Sequence, residues 1–154
     1  MKEQKRWEVP NEALMAAVGE DLRQGRSVKI VVRGNSMNPA WVDRRDKVVL
    51  SPCTDADLRP GVVVLARVTD GRFILHRIVR REGDVITLRG DGNVRGTEQT
   101  CPAQVMAVVT SFERKGRTHS CRGVGWRCYS RLWRWPTPCR RVLLAVWRRC
   151  GKRN

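Results

Sequence analysis

The sequence predicts a mostly β, α+β domain of coiled, partly barrel-like antiparallel sheets, with one helix at its start and a basic helical tail. Three observations carry this expectation. Short β-branched and apolar runs recur between Val28 and Phe112, separated by turn pairs such as Pro60-Gly61, Asp70-Gly71 and Gly83-Asp84. A helix-period pattern occurs once ahead of them, ending at Gly25. The charge is also split: the net +16 of the 154 residues divides into +4 over residues 1–112 and +12 over residues 113–154. A globular domain over 1–112 and a basic appendage over 113–154 follow from that break.

Taken in order, Pro10 through Arg23 reads as a helix. Asn11 suits the N-cap, Leu14, Val18 and Leu22 share one face with Met15 beside them, and Gly25 stops it. Packing on a sheet edge is its expected role. Val28 to Arg33 is the opening strand. Gly34 and Asn35 break it, Ser36 follows at once, and Pro39 keeps the next segment from pairing as a central strand. Lys47 to Leu50 is a short strand, and Ser51 to Gly61 a polar loop. Val62 to Val68 is apolar throughout, as expected of a strand covered on both faces. Thr69-Asp70-Gly71-Arg72 signals a tight hairpin into a strand over Phe73 to Arg80. A second hairpin leads into Val85 to Arg89, and Gln104 to Phe112 is the last clear strand.

No run of eighteen apolar residues occurs, so no membrane span is expected. The opening MKEQKRWEVPNEAL lacks the apolar segment of a secretory signal, which suggests a cytosolic start, with a peripheral place at the inner face of the membrane as the further option. Six cysteines, at 53, 101, 121, 128, 139 and 150, form no C-x-x-C pair. Free thiols are expected, with no zinc site and no cofactor.

Ser36 stands at the end of a strand on a tight turn, with turn N–H groups near its hydroxyl. That is a suitable place for a nucleophile. A serine hydroxyl needs a base, and the chain has two histidines. His76 lies mid-strand on the face of Ile74 and Ile78, where loss of solvent favours the neutral imidazole that can accept a proton. Met37 and Trp41 are expected to pack the core.

Four segments occur together in order. Gly34-Asn35-Ser36-Met37-Asn38-Pro39 resembles the nucleophile box of the signal peptidase I and LexA-type peptidase superfamily, and Asp46-Lys47-Val48-Val49-Leu50 resembles the strand that follows it. Phe73-Ile74-Leu75-His76-Arg77-Ile78-Val79 resembles the base-bearing strand, and Gly83-Asp84 with Gly90-Asp91-Gly92-Asn93 the turns after it. The resemblance covers about residues 26–112. It implies that family's fold and a serine endopeptidase that cleaves a leader or signal-like peptide. Ser36 would be the nucleophile and His76 the base, as in the histidine-bearing, endoplasmic-reticulum-like branch. It further implies Asp91 as the group that orients His76, with Glu98 the nearest further acid but one step out of register. Gly34 stands where relatives often carry a hydroxyl donor, which leaves the Ser36 N–H as the chief oxyanion donor. The rival expectation is a protease-like adaptor without turnover, acting through its basic tail.

In that tail Trp126, Tyr129 and Trp133 recur at helical spacing opposite Arg127, Arg131 and Arg134, and Pro136 and Pro138 break the helix. Cys139, Val142, Leu143, Val146, Trp147 and Cys150 form a second apolar stripe, with Arg140, Arg141, Arg148 and Arg149 off it. Such helices suit an anionic membrane surface, here through residues 126–150. Docking on the domain's own sheet is the alternative. Nucleic acid is a third option, for which no helix-turn-helix or zinc finger appears.

Overall fold

The computed structural model describes residues 11–134 and 137–151, so the expected helix start at Pro10 and the break at Pro136 lie outside the described residues. The architecture is α+β: an antiparallel sheet curled into a half-barrel, with three α-helices among the described residues. Helix α1 spans Asn11–Arg23, followed by β1 (Val28–Val31), β2 (Lys47–Ser51), β3 (Val63–Arg67), β4 (Phe73–Glu82) and β5 (Val85–Arg89). Then come β6 (Glu98–Thr100), β7 (Val105–Arg114), β8 (Arg117–Ser120), α2 (Val124–Leu132) and α3 (Thr137–Gly151). The strand order is β1-β2-β7-β3-β4-β5-β6, with β8 added on β7. The register shifts at Val49/Leu50, Leu65/Ala66 and Ile78/Arg80, and such bulges increase the twist that curls a sheet.

Helix α1 ends in a double hydrogen bond, Gly25 N to Leu22 O at 3.0 Å and Arg26 N to Asp21 O at 3.0 Å, which satisfies two of its last carbonyls. Its buried face is Met15, Val18 and Leu22, and it packs on the core shared by β1, β2 and β7. Leu14, expected on that face, is exposed; Met15 takes its place.

Strand β3 has the two-sided burial its composition predicts. Val63 and Leu65 enter one core with Trp41, Val48, Leu50 and Phe112; Val64, Ala66 and Val68 enter another with Ile78, Ile86 and Leu88. Burying both faces of a central strand removes apolar surface worth roughly 25 cal/mol per Å², which makes β3 the anchor of the sheet. Met37 and Trp41 are core residues, as expected.

Two strands were not visible in the sequence pattern. Strand β6 has three residues, all of them polar, and β8 is exposed at all four positions, so neither shows apolar alternation. Strand β8 moves the domain edge. The sheet continues through Ser120, so residues 113–120 belong to the domain and the helices begin only at Val124.

The helices do not form a separate arm. The aromatic stripe of α2 faces the domain: Trp126 stacks on Trp41 with centroids 5.4 Å apart, and Tyr129 follows it. Trp133, next along, is buried and stacks on Tyr129 at 5.1 Å. The expectation of a membrane-facing Trp126/Tyr129/Trp133 stripe is therefore corrected; Arg127, Arg131 and Arg134 are exposed on the other side. Helix α3 also turns differently from its apolar pattern. Its buried residues are Arg140 and Leu144, while Cys139, Val142, Val146 and Cys150 are exposed. Pro138 does not break this helix but stands in its first turn, where a missing N–H costs nothing. Among the described residues no helix is long and apolar enough to cross a membrane. All six cysteines are free, and burial pushes the Cys121 thiol up to about 12, which leaves it unreactive.

Candidate active site

The Ser36 turn is braced from behind. Val32 N donates to Asp46 O at 2.9 Å, Arg44 N to Val32 O at 2.9 Å, and Gly34 N to the Asp43 carboxylate at 2.8 Å. Asp46 itself is buried and receives Arg45, Arg114 and the Val42 N–H. Burial works against its charge, but these hydrogen bonds outweigh it and hold the carboxyl at about 2. The Asp46 carboxylate thus ties the segment after the turn to β7, its carbonyl holds the strand end, and Asp43 holds the turn. Ser36 is half-buried on this frame. Among the described residues neither its N–H nor its hydroxyl is engaged in a hydrogen bond.

His76 comes from the middle of β4, opposite Val64 of β3, and is 5% exposed. Its Nδ1 lies 3.0 Å from Glu98 Oε2. With Glu98 ionised, Nδ1–H donates and the lone pair is left on Nε2. That nitrogen lies beside Gly90. Gly92 N donates to Ser36 O at 2.7 Å, and Gly90 is packed between the serine and the histidine. A methyl group on Gly90 would overlap the Ser36 carbonyl oxygen and lie 3.1 Å from His76 Nε2. One on Gly92 would overlap the Asn35 carbonyl oxygen. Only glycine permits this close approach of the two loops. The Ser36 carbonyl oxygen and His76 Nε2 therefore both lie close to Gly90.

Asp91 does not orient His76, and that expectation is corrected. Its carboxylate is 1% exposed and is clamped by Arg77, Nε to Oδ1 at 2.8 Å and Nη2 to Oδ2 at 2.7 Å. Tyr129 OH donates to Oδ2 at 2.9 Å, and Trp133 Nε1 to the Asp91 carbonyl at 2.6 Å. Arg77 also reaches Gly61 O and Ser130 Oγ, and stands 5.2 Å from the Trp126 ring centre. The physical reason lies in β4. His76 and Arg77 are consecutive, so their side chains leave opposite faces, and each takes one acid: Glu98 for the histidine, Asp91 for the arginine. An arginine in the apolar run FILHRIV is a readable signal, since a buried guanidinium needs a carboxylate.

Burial alone would lower the Arg77 pKa, but the Asp91 charge and hydrogen bonds beside it raise it, which keeps the guanidinium charged. Burial pushes the Tyr129 phenol far up, with Asp91 adding to it, which keeps its O–H as a donor. Among the described residues no group of His, Cys, Asp and Glu is placed to hold a metal ion.

No protein-family model matches the chain, and no curated protein matches it either.

Proposed function

We propose that the chain is a serine endopeptidase of the signal peptidase/LexA type, with Ser36 as nucleophile, His76 as base and Glu98 as the residue that fixes the histidine tautomer. The observation that carries this reading is the Glu98–His76 contact, which leaves Nε2 free beside Gly90, where the Ser36 carbonyl also packs. Nε2 takes the Ser36 proton as Oγ attacks a peptide carbonyl, then returns it to the leaving amine. The unengaged Ser36 N–H is the available oxyanion donor. The serine and histidine are not hydrogen-bonded to each other, and such bonds commonly tighten only when substrate binds. The substrate would be a leader or signal-like peptide in extended form.

Hydrolysis of an extended peptide by the purified chain tests this, with Glu98→Gln as the discriminating variant. An amide there no longer favours the productive tautomer. We expect kcat to fall by roughly two to four orders of magnitude with KM little changed. Activity in Glu98→Gln equal to that of the wild type would remove Glu98 from the site.

A second reading, compatible with the first, concerns the outer face of α3. Val142 is 63% and Val146 55% exposed, amid the exposed Arg141, Arg148 and Arg149. Apolar side chains flanked by arginine fit an anionic membrane surface, on which the chain would sit peripherally, with or without turnover. Co-sedimentation with vesicles containing phosphatidylserine should drop several-fold for the Val142→Glu, Val146→Glu double variant. Unchanged binding would reject this surface, and binding to DNA alone would shift the partner to nucleic acid.

A further inference from the structure

Helix α3 supplies one wall of the Ser36 cleft. A cavity of about 500 Å³ opens there, between Asn35, Asn38 and Asn93 around the serine and Leu144, Trp147 and Arg148 of the helix. The opposing wall is thus the chain's own C-terminal helix, and its chemistry bears on what can enter.

That wall carries one cation that lines the cavity, Arg148. Arg140, Leu144 and Arg148 follow one another at four-residue spacing, on one face of α3. Arg140 is 0% exposed, and only its Nη2 is engaged, with the carbonyls of Gly90 at 3.2 Å and Asp91 at 3.0 Å. Its Nε and Nη1 are buried without an acceptor. Burial lowers its pKa, and the charge of Arg89 lowers it further. Asp91, the one carboxylate acting on Arg77, Arg89 and Arg140, is already matched by Arg77. Arg140 does not line the cavity, so it adds positive charge behind the wall, and Arg148 is the donor that an entering anion meets. On the domain side, the Asn38 side-chain oxygen is likewise buried without a donor, as an acceptor for a backbone N–H of an entering chain would be.

We propose that the Ser36 cleft selects an extended peptide bearing an acidic side chain, received by Arg148 with Arg140 behind it, against the apolar wall of Leu144 and Trp147. This deepens the peptidase reading by naming a substrate class, and rests on it for the fate of the peptide, but the recognition itself needs no turnover.

Binding of a fluorescein-labelled ten-residue neutral peptide carrying a single Glu, compared with its Gln twin, tests the proposal on the full-length Ser36→Ala chain by anisotropy. The Glu peptide should bind about tenfold tighter or more. Arg148→Glu, at an exposed position that the fold does not depend on, should abolish or invert the preference. Arg80→Glu, on the exposed end of β4 outside the cleft, controls for the general positive charge and should preserve it. Equal affinity for the two peptides, or equal losses in Arg148→Glu and Arg80→Glu, would overturn the assignment. A clear preference in a chain that never cleaves would uphold the acidic site and refute only the peptidase. Cleavage without preference would do the reverse.

Discussion

Ser36→Ala is expected to reduce peptide cleavage by roughly four to six orders of magnitude, with a melting temperature within about 2 °C of the wild type. The two halves of this expectation have separate grounds. The Ser36 hydroxyl is engaged in no hydrogen bond among the described residues, and the side chain is half-buried, so removing one oxygen costs the fold little. The turn is held instead by Asp46, Asp43 and the Gly92-to-Ser36 backbone bond, none of which needs the hydroxyl. Cleavage, by contrast, depends on that hydroxyl as its proposed nucleophile. What survives should be the small rate that oxyanion stabilisation and positioning give to water. Kinetics of the two proteins on one peptide decide it. Retained cleavage would remove Ser36 from the mechanism, and a large drop in melting temperature would show that the hydroxyl is structural.

Asp91→Ala should produce the largest loss of stability of any single substitution at the site, about 3–5 kcal/mol. The loss comes less from the missing bonds than from what they leave. Arg77, 1% exposed, would keep its charge in the interior with its carboxylate gone. Tyr129 would lose the acceptor for its hydroxyl, and with it one of the ties that hold α2 on the sheet. At this chain length such a loss is a fall of about 10 °C or more in melting temperature. Thermal unfolding measures it, and limited proteolysis should show cleavage moving into α2 and α3 first. The pair can be separated from its parts. Replacing both Arg77 and Asp91 with apolar residues of similar size removes the uncompensated charge, and the double variant should be more stable than Asp91→Ala alone. A double variant less stable than both single ones, or an Asp91→Ala protein as stable as the wild type, would contradict this.

The parts of this molecule that follow local rules were legible in its sequence. Asp70-Gly71 and Gly83-Asp84 mark the two hairpins that bring β3, β4 and β5 together, and the unbroken apolar run over β3 reports its burial on both faces. Ser36 and His76 stand out in the sequence because each sits in a recognisable local setting, a turn after a strand and a polar residue inside an apolar one. The partner of the histidine was not legible in the same way. Glu98 lies on a three-residue strand without pattern, and its reach to His76 depends on β6 folding back on β5. Asp91, in a conspicuous turn, drew the role that its long-range pairing with Arg77 rules out.

The tail shows the same limit. Its aromatic spacing announces a helix with an apolar face, but not what that face meets. In α3 the burial of Arg140 reverses the order that hydrophobicity alone would give, because Gly90 and Asp91 offer their carbonyls there. Composition correctly sets the charge of the segment while misplacing its inward face.

The central claim is that His76, held by Glu98, activates Ser36 across Gly90. Treating the folded chain with a fluorophosphonate and locating the adduct by mass spectrometry tests this directly. The account predicts modification at Ser36 that is lost in His76→Ala and kept when only the remote Arg80 is changed. A folded protein that is never modified at Ser36, or is modified equally well without His76, would contradict it.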